Sequence, residues 1–467
     1  MTSEKHAWVV AVLLCSLVVA PLASITVVDG KSAAFTDSTV SDDRGDVIEI
    51  TVRTNEAATV NIGSKAEGFW VKANVTGGKT TLALNTYRAD GNDSVTLVEG
   101  GLRGKVDTLV PSEAGPLQTG TYDMNVTIDG ITQDVGSFTV EERETGSART
   151  LVLPASTDLA SFESPADLEK AASTTDANGT IASRDRFVFA LDVSGLAGFI
   201  HDASLDGSDE NVSIAFYESN SERNTVPNEF DGADVTEVEP ERLRLDEETD
   251  TLYLVVDTAK HGMEVGDEYD VTFEIGADNS MVTDVETATT SFRVVERRVT
   301  LDYDGDVLIV ADETTIGGKT TLAPGTTINV TAFDEGKKPF FWPATPVVTE
   351  NRTFGATFDF GAVTSGTEFT IELRDQGKTT RGIVASTPVT IVQPTTTTTT
   401  TPTTTMTTTA TTTATTTTTG TAPPTSISTD APITAQTVSQ GGLPGFDVTV
   451  ALVALVAAGF LVVRRFR

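Results

Sequence analysis

Gly120-Thr121-Tyr122-Asp123 opens a run to Ile128, and Ser137-Phe138-Thr139-Val140-Glu141-Glu142-Arg143 follows it. The pair recurs. Gly266-Asp267-Glu268-Tyr269-Asp270 opens a run to Ile275, and Ser291-Phe292-Arg293-Val294-Val295-Glu296-Arg297 follows. The shared ending is Ser-Phe-x-Val-x-Glu-Arg. A third region, Gly366-Thr367-Glu368-Phe369 with a run to Leu373, begins in the same way and lacks the ending. Units of this length read as an array of domains, not as a solenoid of short repeats.

Within the runs, apolar residues alternate with polar ones. Ile48, Ile50 and Val52 share one face of a strand. Tyr269, Val271, Phe273 and Ile275 do the same, with Asp270, Thr272 and Glu274 outward. A period of two marks a half-buried strand. Turn pairs such as Asp129-Gly130 and Asp304-Gly305 punctuate the runs. The expected fold is all-β: tandem Ig-like antiparallel β-sandwich domains. The glycine two or three residues ahead of each tyrosine suggests a tyrosine corner, whose hydroxyl bonds back to nearby backbone; otherwise the ring simply starts a strand. One helix is expected near 164–172, with Ser164 as N-cap and Pro165 in the first turn.

The chain has 467 residues, enough for two to four domains. Asp and Glu number 67 against 32 Lys and Arg, a formal net charge of -35. That field repels nucleic acid, whose binding needs cations at the phosphates. It equally disfavours anionic lipid surfaces. The acid is spread along the chain, which reads either as a cation-binding surface or as adaptation to high salt. At ~1 M salt the Debye length is about 3 Å, so self-repulsion is screened. In dilute buffer the same charge works against the compact state. Cys15 is the single cysteine, so no intramolecular disulfide and no thiolate metal site is expected.

Both ends read as targeting segments. Lys5 and His6 precede an apolar run from Ala7 to Ala20, with small residues at Ala23 and Ser24. This is the layout of a secretory signal peptide over 1–24. At the other end an apolar run from Val448 to Val463 leads to Arg464, Arg465 and Arg467. About 17 helical residues reach ~26 Å, just enough for a bilayer core, and the arginines set that end inside. Between them, residues 394–442 begin as nearly pure threonine and have no apolar face to bury. They read as a stalk, either O-glycosylated or a bare linker, at most ~160 Å long when fully extended.

Pro444-Gly445-Phe446, followed by the apolar run and the terminal arginines, resembles the PGF-CTERM sorting signal of haloarchaeal surface proteins. The resemblance implies that an archaeosortase removes the C-terminal helix and that a lipid replaces it. The folded part is similar to haloarchaeal surface glycoproteins, including those with the BGTF surface domain. The third unit carries that likeness, from Leu322-Ala323-Pro324-Gly325-Thr326 through Thr353-Phe354 and Asp359-Phe360 to Gly366-Thr367-Glu368-Phe369. The resemblance implies an S-layer or S-layer-associated role in the cell envelope. The implied partners are the membrane, signal peptidase, archaeosortase and neighbouring surface glycoproteins or further copies of the chain. An accessory adhesion or carbohydrate-binding protein on a stalk is the alternative.

The resulting map is 1–24 signal peptide, 25–148, 149–298 and 299–393 sandwich domains, 394–442 stalk, and 443–467 sorting signal and transmembrane helix. Seven Asn-x-Ser/Thr sequons, at Asn74, Asn92, Asn125, Asn178, Asn211, Asn329 and Asn351, are candidate glycosylation sites. Asp302, Asp304 and Asp306 offer hard oxygens for Ca²⁺, although Val307 stands where an EF-hand loop needs glycine. Asp202, Asp206, Asp209 and Glu210 form a second acidic stretch. Lys337-Lys338-Pro339-Phe340-Phe341-Trp342-Pro343 is the one basic-aromatic cluster, suited either to a sugar or a neighbour, or to its own core. His201 and His261 lie in no catalytic motif, and there is no Gly-x-Ser-x-Gly elbow, His-Glu-x-x-His or phosphate loop. No enzyme is expected.

The charge generates a direct expectation. Thermal unfolding followed by circular dichroism should give a markedly higher Tm in molar NaCl than in dilute buffer. Equal Tm values would contradict the high-salt reading.

Overall fold

The computed structural model describes residues 30–392, apart from 92, 114, 238, 303–306, 310–312 and 376–382. The signal peptide, stalk and sorting signal, with Pro444, Gly445 and Phe446, lie outside the described residues, as do Asn92, Asp304 and Asp306. No helix among the described residues is long and apolar enough to cross a membrane.

Strands dominate, and they pair into six sheets, two per sandwich. In the first sandwich, Val47–Thr54 lies between Ala33–Phe35 and Gly78–Asn85. The facing sheet centres on Gly120–Ile128, flanked by Ile131–Glu141 and Ala58–Ser64. In the second, Arg186–Val193 pairs with Thr145–Leu153 and Thr251–Asp257. Glu268–Ile275 faces it, between Val212–Glu218 and Glu286–Val295. In the third, Thr314–Thr320 pairs with Thr353–Phe358. The facing sheet holds Glu368–Asp375, Ile328–Asp334 and the edge strand Phe340–Ala344.

Two details depart from the expected pattern. The sandwiches are not wholly antiparallel. Each carries one short strand running parallel to its last: Thr39–Asp43 beside Ile131–Glu141, Thr180–Ala182 beside Glu286–Val295, and Val307–Ile309 beside Ile383–Val392. The second sandwich also begins at Thr145, inside the range 25–148 assigned to the first, because Thr145 already pairs with Val193.

The alternation read from sequence becomes burial. Ile48, Ile50 and Val52 are buried in the first core, and Tyr269, Val271, Phe273 and Ile275 in the second. Burying such a side chain contributes about 1.5–3 kcal/mol. These cores hold the chain without disulfides. The helix forms at Pro165–Ala171, with Asp167 accepting from the Ser164 backbone N–H at 3.1 Å and from its hydroxyl at 3.0 Å. Its Leu168 packs with Leu153, Val188 and Tyr253 on the outer face of the second sandwich.

The repeated motif now has a physical cause. Phe138 sits directly across from Tyr122, and Phe292 directly across from Tyr269. The ring centroids are 4.9 Å and 5.3 Å apart. The Tyr122 hydroxyl donates to the Gln118 carbonyl at 2.8 Å, which is the tyrosine-corner geometry. The Tyr269 hydroxyl instead donates to the Asp267 carboxylate at 3.3 Å and accepts from Asn228 at 2.8 Å. In the third sandwich Phe369 faces Val389, so neither the hydroxyl nor the ring pair is present.

Candidate functional site

The residue that ends the motif lies at the junctions between sandwiches. Arg143 ends the first unit and its side chain is almost wholly buried. It pairs with Glu286 of the second sandwich at 2.5 Å and donates to Thr145 at 2.8 Å. Arg297 ends the second unit. It pairs with Asp185 of its own sandwich and with Asp375 of the third, both at 2.6 Å, and all three side chains are at least 96 % buried, being 4 %, 0 % and 1 % exposed. Burial alone would lower the Arg297 value; the Asp375 and Asp185 carboxylates outweigh it and hold the guanidinium above the ordinary arginine range.

A second element recurs at both junctions. Asp46 lies just before the core strand Val47–Thr54 and accepts from the backbone N–H groups of Gly195 and Ala197, at 2.7 and 2.8 Å. Asp185 lies just before the core strand Arg186–Val193 and accepts from the Ala323 N–H at 2.8 Å. In each case a buried carboxylate holds backbone donors of the next sandwich. The first junction also needs close backbone approach. Gly45 has φ +105°, and a Cβ there would stand 2.1 Å from the Gly195 carbonyl. Gly195, at φ +75°, would meet the Arg44 carbonyl at 2.3 Å. Arg44 donates across the junction to the carbonyls of Met281 and Ser280, both at 3.0 Å. Tyr87 stacks on Phe199 at 4.4 Å and donates to Glu210.

Asp302 is exposed, and its partners Asp304 and Asp306 lie outside the described residues. In the second acidic stretch, Asp202 is taken by Arg88 at 2.7 Å and Glu210 by Tyr87. Asp206 accepts from Ser204 and the Ser208 N–H. No group of three potential metal ligands occurs among the described residues. His261 lies against Phe230, ring centroids 4.7 Å apart, and burial lowers its value.

Of the sequons, Asn178 and Asn351 are exposed. Their sequons are linked, because Arg352 donates to the Thr180 carbonyl at 2.7 Å. Asn74, Asn125, Asn211 and Asn329 are half-buried. Asn74 accepts from Thr59 at 2.9 Å and Asn125 from Asn61 at 3.0 Å. The aromatic cluster forms the edge strand Phe340–Ala344, with Phe340 and Trp342 turned toward the core and Phe341 outward.

The junction residues were partly visible beforehand. Arg143 and Arg297 close a motif quoted from the sequence, yet nothing in it showed that they cross a domain boundary. Asp46, Asp185, Glu286 and Asp375 carried no signal among so many acids.

Residues 25–130 match a family described as a Domain of unknown function (DUF7827), and residues 443–465 match the PGF-CTERM motif. The chain is 31% identical to a "Cell surface glycoprotein" of Haloferax gibbonsii over 95% of its own length and 54% of the relative's. It is 25% identical to "Cell surface glycoprotein 1" of Haloarcula hispanica, over 74% of its own length and 44% of the relative's. The chain is a homologue of haloarchaeal cell surface glycoproteins. Together with the C-terminal motif, this sets the surface glycoprotein homologue in the cell envelope, extracellular and anchored at its C-terminal end. It spans about half the length of the curated relatives it matches. Among solved structures, domains A168–A170 of titin align at a TM-score of 0.22 and 10% identity, covering 78% of this chain and 100% of that one. Chicken CNTN1 FN1–FN3 aligns at 0.20 and 10%, covering 78% and 94%. Likenesses this low have no bearing on function.

The first junction generates a pH dependence. Burial pushes Asp46 up to about 6 and Asp42 up to about 7, with Asp43 and Asp250 adding repulsion to both. Both values lie above the ordinary 3.8, so the folded state holds protons that the unfolded chain releases. Stability is therefore gained as pH falls from about 7 toward 4 and lost as it rises again. Tm should be higher at pH 5 than at pH 8, and Asp42→Asn should raise it at pH 8 and flatten the profile. A wild-type Tm that falls on this mild acidification would contradict the assignment.

Proposed function

We propose that the chain is a structural, non-enzymatic element of the archaeal cell envelope, part of an S-layer or associated with one. The observation that carries this reading is the pair of buried junctions at Arg143 and Arg297. A ligand-binding receptor needs one site, whereas a load-bearing coat needs domains that do not slip against each other. The buried Arg297 pairs, held by extra hydrogen bonds, are expensive to break one partner at a time, about 3–5 kcal/mol, while the Arg143 pair, with Glu286 part-exposed, contributes less. The names of the relatives and the C-terminal motif support the same reading.

In this account signal peptidase releases residues 1–24, residues 394–442 form the stalk, and an archaeosortase processes the chain at Pro444-Gly445-Phe446. Neighbouring surface glycoproteins, or further copies of the chain, pack alongside. Asn178 and Asn351 are the first sequons to carry glycan, being exposed, whereas Asn74, Asn125 and Asn329 lie half-buried within strands and Asn211 half-buried in a turn. Calcium at Asp302, Asp304 and Asp306 would be a supporting ion rather than a catalytic one.

Quantitative peptide mapping of isolated envelopes tests the reading. The chain should be an abundant component with no peptide extending past Pro444. A scarce chain would leave the coat role to others and favour an accessory adhesion protein. Intact peptides from Val448 to Arg467 would mean a plain transmembrane anchor.

A further inference from the structure

We propose that the third sandwich binds an acidic saccharide in a groove along its edge strand Phe340–Ala344, with Phe340 and Trp342 as the platform and Lys337 and Lys338 as the anion contacts. The groove has a volume of about 460 Å³, within the range of small-ligand sites. It holds both rings and both lysines, with Asp334 and Glu368 at its wall.

The rings are a rigid surface. Phe340 and Trp342 occupy alternate positions of one strand and so share a face. Their centroids are 4.3 Å apart with planes 26° from parallel. Each is anchored from behind: Phe340 against Phe369 at 5.7 Å, Trp342 against Phe360 at 5.5 Å. Both remain only partly buried, leaving apolar ring surface open to the groove. A sugar presents C–H groups on one face and hydroxyls around its rim, which suits an aromatic surface bordered by polar groups. Glu368 is exposed at the wall and can accept from ring hydroxyls. Asp334 already accepts the Gly336 N–H at 2.7 Å, which shapes the turn carrying the lysines.

Charge selects the class of sugar. Lys337 and Lys338 are the only adjacent lysines in a chain of formal net charge -35. Both are exposed, and neither forms an ion pair with any described residue. Among so many carboxylates, two ammonium groups unpaired among the described residues and beside an aromatic surface fit an external anion. A carboxylate or sulfate on the sugar supplies it. At ~1 M salt, screening acts over about 3 Å, so only direct contact of this kind persists.

The test is ligand-observed NMR titration of the whole chain in molar NaCl, with D-glucuronate and with D-glucose. Glucuronate should bind about tenfold more tightly, the effect of one charge-assisted hydrogen bond. Lys337→Gln with Lys338→Gln should remove the difference while retaining weak binding of both sugars. Trp342→Ala should abolish binding of both. Both lysines are exposed and outside the core, so the double variant reads out even where Trp342→Ala fails to fold. Absence of binding, equal binding of the two sugars, or a preference that survives the double variant would overturn the proposal. So would self-association lost in the double variant, which would make the groove a contact between copies. Failure of the sugar proposal leaves the envelope role standing, because that role rests on the junctions and is tested by peptide mapping.

Discussion

A guanidinium removed from water at Arg297 is held by two carboxylates, one from its own sandwich and one from the next. Such a charge is costly to bury, by several kcal/mol, unless its donors are satisfied. Here they are: Nε and Nη2 reach Asp375 at 2.6 and 3.1 Å, and Nη1 reaches Asp185 at 2.6 Å and the Ser183 carbonyl at 3.1 Å. The planar fork of arginine allows this, where a lysine would offer a single point charge. Further contacts between the second and third sandwiches surround this group, and Arg352 adds a separate one to the Thr180 carbonyl at 2.7 Å. Asp185 links Arg297 onward to the Ala323 N–H, and Ala182 of the second sandwich enters the third core.

The first junction uses the same two ideas with different means. Arg143 again closes the motif, but its partner Glu286 is part-exposed. More of the hold comes from backbone: Asp46 on Gly195 and Ala197, and the Gly198 N–H on the Gly45 carbonyl at 2.8 Å. Glycines make that approach possible. Surface ion pairs such as Lys79–Glu99 contribute about 0–1 kcal/mol and less in high salt. Buried pairs are screened much less, so a chain adapted to saline surroundings keeps its junctions where salt does not reach them.

Much of the fold could be read before any coordinates. Alternation at Ile48, Ile50 and Val52, and from Tyr269 to Ile275, is local and period-two, so it survives any tertiary arrangement. The helix at Pro165–Ala171 was legible because its capping residues are adjacent in sequence. The Tyr122 hydroxyl bond was legible as one of two options. What stayed hidden is long-range. The parallel edge strands Thr39–Asp43 and Thr180–Ala182 pair with strands about a hundred residues away and carry no pattern of their own. Asp46 and Asp185 looked like two more acids among 67. Arg143 and Arg297 stood out through repetition, but repetition alone could not distinguish a junction from a surface feature. The acidic stretch at Asp202–Glu210 read only as an acidic stretch, and Arg88 and Tyr87 of the preceding sandwich claim two of its carboxylates.

Urea unfolding of the chain in molar NaCl, compared with Arg297→Ala, measures the central claim. Removing the guanidinium leaves Asp185 and Asp375 facing each other without their cation. The account predicts a loss of about 3–5 kcal/mol, with the third sandwich unfolding in a separate, earlier transition. An unchanged midpoint with a single transition would show that the sandwiches are held together by something other than the motif's terminal arginine.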